Sequence, residues 1–207
     1  MMADTQENSM PATRDQSEIS VKGQAINNIQ ADQVTVQYGS ANDIQAQHVM
    51  ISQAGANNVQ ADTVELRQAG TQSVRGNTVT VRQGGAVQVK AKTLSMVQGG
   101  LILAETEVAN LTASTSGAIL AKGDVQLDQS NARAVITRGD VSMDQSGSGV
   151  VVARTVKTGN NSGVILLLAG RVDGQVNAVF GPKSSAAFGV AFALVIALVV
   201  WLRQRLF

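Results

Sequence analysis

The chain has 207 residues, room for one domain with extensions. Hydrophobic residues make up 44% of it but aromatic ones only 3%, so any core is to be built from Val, Ile, Leu and Ala and not around large rings. Lys and Arg (16) nearly balance Asp and Glu (15), which gives no electrostatic footprint for nucleic acid, and the lack of cysteine excludes disulfides and thiolate metal sites.

Residues 1–17, Met1 to Ser17, are polar and show no apolar pattern. They have neither the basic start nor the hydrophobic stretch of a signal peptide, and read as a disordered tail.

From residue 18 a repeat takes over. Five fifteen-residue segments align without a gap: IQADQVTVQYGSAND (Ile29 to Asp43), IQAQHVMISQAGANN (Ile44 to Asn58), VQADTVELRQAGTQS (Val59 to Ser73), VRGNTVTVRQGGAVQ (Val74 to Gln88) and VKAKTLSMVQGGLIL (Val89 to Leu103). The sixth position reads Val34, Val49, Val64, Val79 and Leu94. It extends back to Ile19 and on through Ala109, Val125, Val141, Val156 and Val172, in steps of fifteen or sixteen. Apolar or small residues fall at positions one and three, six and eight, and eleven and thirteen. Alternation at i and i+2 is the strand signature, whereas a helix needs a period near 3.6. Three short strands and three corners per repeat predict an all-β fold. The fold is a triangular single-stranded β-helix (β-solenoid) of about eleven 15–16-residue turns over 18–181. Its core column is Val34, Val49, Val64, Val79, Leu94, Val125, Val141, Val156 and Val172. One turn cannot bury its own inward face, but stacked turns bury it for each other, at about 4.8 Å per turn. The column Gly39, Ala54, Ala69, Gly84, Gly99 predicts a side where backbones approach closely.

Position ten predicts an outward amide ladder of Gln53, Gln68, Gln83, Gln98, Gln129, Gln145 and Asn160, since stacked Gln and Asn side chains can hydrogen-bond along the axis. Beside it Arg67 stacks on Arg82 and Asp128 on Asp144, which reads as a solvated face.

After a linker, residues 182–185, comes AAFGVAFALVIALVVWL, residues 186–202, without a charge. As a helix it is about 25 Å long at 1.5 Å per residue, a short bilayer span. Phe188, Phe192, Leu194, Ile196 and Leu198 would face lipid and Trp201 the interface. A short basic tail, residues 203–207, closes the chain. The N-terminal sequence keeps the solenoid in the cytoplasm as a tail-anchored, single-pass protein, while Arg203 and Arg205 after the span pull the other way by the positive-inside rule. The cytoplasmic placement is the one adopted.

Segments such as VRGNTVTVRQGGAVQV (Val74 to Val89), with their Val-x-Gly/Ala-x-x-Val-x-Val runs, resemble bactofilins over roughly Ile19 to Phe180. The resemblance implies a right-handed triangular β-helix, membrane association, and end-to-end polymerisation without nucleotide. Two features depart from the family pattern: the short turn and the C-terminal position of the apolar segment.

Little points to catalysis. His48 sits at a corner with Gln33 and Thr63 one turn either side. Asp32 and Asp62 lie two turns apart with Gln47 between, which is no metal cage. Acid–base chemistry needs titratable groups brought together. The sequons at Asn110 and Asn160 carry little weight without a secretory signal. The expected protein is a membrane-anchored scaffold, not an enzyme, with no cofactor, no catalytic or metal residues, no nucleic acid and no evident small-molecule substrate. Its partners are the lipid bilayer and other copies, end to end or laterally. The competing reading is a membrane-displayed binding module or adhesin.

Overall fold

The computed structural model describes residues 18–174 and the backbone of strand 177–180. The predicted tail over 1–17, the linker at 182–185, the apolar segment with Phe188 to Trp201, and the basic tail lie outside the described residues. Within them every element is a strand, and no helix is long and apolar enough to cross a membrane.

The strands form one sheet wound on itself as a parallel β-solenoid of about ten turns and not the predicted eleven, because the first-side rungs from Ile19 to Val172 mark the ends of the turns between them. The first turns comprise β1 (Glu18–Lys22), β2 (Ala25–Gln30) and β3 (Gln33–Gln37). Five nearly continuous turns follow: β4 (Ser40–Ser52), β5 (Gly55–Arg67), β6 (Gly70–Arg82), β7 (Gly85–Val97) and β8 (Gly100–Thr112). Each pairs with the next in parallel, residue i opposite i+15, as in Val49 to Val64 and Val64 to Val79. The chain continues through β9 (Thr115–Ala121), β10 (Val125–Asp128), β11 (Asn131–Thr137), β12 (Asp140–Asp144), β13 (Gly147–Thr158), β14 (Gly163–Gly174) and β15 (Asn177–Phe180).

Each turn directs three strips inward. Alternation of the chain's side chains across the strand makes this possible, because every second residue faces the same way. The first side carries the largest residues. Val34, Val64, Val79, Leu94, Val141 and Val156 are completely buried there, and Val49 and Val125 nearly so. Val172, in the last described turn, is only partly buried against this core. Ile51, Leu66, Met96, Leu111, Leu127 and Met143 follow two residues later on the same side and are also buried. The third side adds Ile44, Val59, Val74, Val89, Ile119, Val135 and Val151. The second side is lined mostly by small residues, Ala41, Ala56, Thr71, Ala86, Ser116 and Ala132, with Leu101 and Val164 as its larger members. A low-aromatic composition therefore suffices, because stacked rungs of aliphatic side chains fill the interior.

The extra residues sit at corners. Thr106 pairs with Ala121, fifteen on, while Ala109 pairs with Val125, sixteen on, so the insertion lies in the corner around Lys122–Asp124. A second extra residue enters after Thr158. Met143 still pairs with Thr158 at fifteen, but Gly147 pairs with Gly163 at sixteen. Corners absorb an added residue without moving the inward columns, which is why the core period survives.

The column from Gly39 to Gly99 shows close backbone approach. A methyl group added at Gly84 would collide with the Ala69 carbonyl oxygen, and one at Gly99 would lie 2.7 Å from the Gly84 oxygen.

Candidate functional site

With the inward positions committed to packing, the surfaces that can recognise anything are the corners, the outward columns and the two ends. The corner between the first and second sides holds the amide ladder. Gln53, Gln68, Gln83 and Gln98 all have φ between 51° and 54°, and Gln129 and Gln145 are close to them at 49° and 47°. This left-handed conformation turns the chain sharply, and non-glycine residues adopt it at some cost. The side-chain amide of Gln53 donates to Gln68 at 2.9 Å, Gln68 to Gln83 at 3.3 Å, and Gln83 to Gln98 at 3.2 Å. Cross-turn amide bonds thus span four consecutive turns.

One predicted member is displaced. Asn160 does not hold the ladder position; Asn161 does, with φ 54°, while the carbonyl of Asn160 accepts from the Gln145 backbone N–H. The cause is the extra residue after Thr158, which shifts the corner by one.

One position further along, the Gly/Ala column becomes serine in the C-terminal half. Ser114, Ser130 and Ser146 are buried. The hydroxyl of Ser130 donates to the Asp128 carbonyl at 2.8 Å and accepts from the Ser114 N–H at 3.1 Å, and Ser146 does the same for Asp144 and Ser130. Each serine so satisfies a buried backbone donor of the turn before it. This staple escaped the sequence reading, although the serine spacing of sixteen was a usable signal.

A second set of ladders occupies the N-terminal half, at the corner between the second and third sides. Asn57 donates to Asn42 and Asn42 to Asn27, at 2.8 and 3.0 Å, and Asn58 donates to Asp43 at 2.8 Å. On the neighbouring corner Gln47 donates to Asp32 at 3.1 Å and Asn77 to Asp62 at 2.9 Å, so these carboxylates accept from stacked amides. His48 is exposed and registers with Gln33 and Thr63. Among the described residues no group of three His, Cys, Asp or Glu could hold a metal ion.

In the C-terminal half the same corner changes character. The corner column Asn28, Asp43, Asn58, Ser73, Gln88 continues as Leu103, Ala118, Ala134, Val150, Leu166. The outward column of the third side, which carries Gln60, Arg75, Lys90 and Glu105, continues as Leu120, Ile136, Val152 and Leu168. At the corner position of Asn42 and Asn57, Ile102 and Ile165 are 62% and 56% exposed. These side chains form an apolar strip around one corner that the core does not use.

Charge is sorted over the other corners of this half. Lys122, Arg138 and Arg154 occupy the corner after the third side, with Asp124 and Asp140 beside them. Arg154 pairs with Asp140 at 3.1 Å. Its hydrogen bonds hold the Asp140 carboxyl below the usual carboxylate range; desolvation works against this, and Thr155 adds to it. Asp128 and Asp144 stack at the ladder corner.

No protein-family profile, curated protein or solved structure matches the chain. The class defined by the fold is a parallel β-solenoid with a fifteen- to sixteen-residue turn.

Proposed function

We propose that the chain is a membrane-anchored structural scaffold that self-associates through its solenoid, in the manner of bactofilins, and that it is not an enzyme. The observation that carries this reading is the open stack. Among the described residues β1 pairs only with β3 and β2 only with β4, so no described strand covers the outer edge of the first turn. At the other end, among the described residues, β15 covers the Gly163–Leu166 part of β14 and no described strand covers the outer side of Ala169–Gly174. Unpaired parallel edges of this kind template the addition of another turn. A second copy supplies such a turn with matching strand spacing.

The anchor in this reading is residues 186–202, whose uncharged length suits a bilayer. The solenoid then lies on the cytoplasmic side, with only residues 203–207 carried across. Electron microscopy of the full chain in detergent, without nucleotide, tests the self-association. Filaments one solenoid wide support it. Separate short rods at every concentration refute it and leave a membrane-displayed binding module, with the exposed Gln ladder as its recognition stripe.

A further inference from the structure

We infer that the apolar strip on the C-terminal half lies against the lipid surface, so that the rod rests along the membrane on one corner. This inference rests on the proposed anchoring by residues 186–202 and adds to it the face and orientation of the solenoid.

Three observations point to lipid as the occupant. First, the last described strand ends at the strip. In β15 Phe180 pairs with Leu166, a corner residue of the strip. Residues 181–185 alone separate Phe180 from the uncharged segment. At no more than about 3.6 Å per residue they reach roughly 20 Å. The strip cannot be further than that from the point where the segment enters the bilayer. The exposed column from Leu120 to Leu168 extends three turns, about 14 Å at 4.8 Å per turn, back from that point.

Second, the chemistry changes only where the chain is close to that point. In the same register positions the distant half carries Gln45, Gln60, Arg75 and Lys90, and the near half carries Leu120, Ile136, Val152 and Leu168. Leu120, Ile136 and Leu168 are 40%, 45% and 53% exposed, so inward packing does not account for the change. Contiguous exposed apolar surface marks a contact with another phase or molecule.

Third, charge is arranged to suit an anionic headgroup layer. Lys122 and Arg138 flank the strip beyond the third side, and Arg133 stands on its second-side edge. None of these three makes an ion pair among the described residues. Asp124 and Asp140 share the corner with Lys122 and Arg138, and Asp140 is engaged by Arg154. The stacked Asp128 and Asp144 occupy the remaining corner, away from the strip. Basic residues beside an apolar strip gain from both lipid contact and the negative surface potential.

The chain has no cysteine, so a single introduced thiol is labelled uniquely. Full chain carrying Ile136→Cys, Leu168→Cys or, as control, Gln126→Cys is coupled to a polarity-sensitive fluorophore. It is then reconstituted into vesicles of phosphatidylcholine and phosphatidylglycerol. Gln126 is exposed on the first side, away from the strip. The expected result is a blue shift and quenching by a lipid-tethered quencher at 136 and 168, with loss of quenching by aqueous iodide at both. Iodide quenching is retained at 126. Equal iodide quenching at all three, in protein that still floats with the vesicles, overturns the inference and leaves the anchor intact. Protection at 136 and 168 from both quenchers also overturns it and assigns the strip to a second copy. Failure of the chain to float removes the anchor and, with it, this orientation.

Discussion

Leu94 offers the sharpest probe of the stack. It is completely buried on the first side, with Val79 below it and Ala109 above it in register. Burying a leucine side chain contributes roughly 1.5–3 kcal/mol relative to exposing it. Truncation to alanine adds the cost of the cavity, for a total of about 2–5 kcal/mol. The neighbouring rung is already an alanine, and Met96 two residues on is held in its own buried position, so nothing nearby can refill the space. Leu94→Ala is therefore expected near the upper half of that range, read from urea melts followed by far-UV circular dichroism. Thr93→Asp, pointing outward one residue earlier, should stay within about 0.5 kcal/mol of the parent. Leu94→Asp places an unpaired carboxylate in the interior, where desolvation costs several kcal/mol. Because each turn contacts only its neighbours, the damage should begin locally. Hydrogen exchange should show β7 losing protection first, then β6 and β8. A Leu94→Ala change below about 1 kcal/mol, or a Leu94→Asp melt unchanged from the parent, would refute the inward register.

Ser130→Ala removes the acceptor for the Ser114 N–H and should cost about 1–3 kcal/mol in the same melts, the penalty for a buried donor left unpaired. At Gln68, with φ 51°, Val is expected to destabilise by about 1–3 kcal/mol and Gly to stay within about 1 kcal/mol; equal effects of the two would argue against the left-handed corner. For Asp140 the folded-state pKa is lowered, so its contribution to stability is present above the unfolded value and lost as pH falls through the folded one. The melting-temperature gap between parent and Asp140→Asn should hold steady above about pH 5 and close below about pH 4. A gap that widens on acidification contradicts the Arg154 pairing.

The solenoid was legible because its inward positions obey two strict rules at once. Within a strand, the period is two; between turns, it is fifteen or sixteen. Val34, Val49, Val64 and Val79 satisfy both, and no helix or globular core imposes such a pattern. Corners obey neither rule. Counting fifteen from Gln145 lands on Asn160, yet Asn161 takes the left-handed position, because Gly159, Asn160 and Asn161 are all good turn residues and the run does not show where the extra one enters. The buried serines were missed for a related reason. Ser130 stands where Gly84 and Ala69 stand in other turns, and the series reads as small residues until the Ser114 N–H is seen to need an acceptor.

Outward columns carry the information that periodicity hides. An inward position must be apolar or small in every turn, so its repetition says only that the fold repeats. An outward position is free to vary, and a change sustained over several turns then calls for a cause outside the core. Gln60, Arg75 and Lys90 giving way to Leu120, Ile136 and Leu168 is such a change. It keeps the turn length and the buried columns intact while one corner goes from water-seeking to water-avoiding. A rod with uniform corners could polymerise without any preferred rotation about its axis. A rod with one apolar corner near its anchor has a defined underside, and copies added end to end would be held with that side in common. In the proposed scaffold, orientation on a surface and growth along an axis would be set by different parts of the same repeat, the outward columns and the edges of the terminal turns.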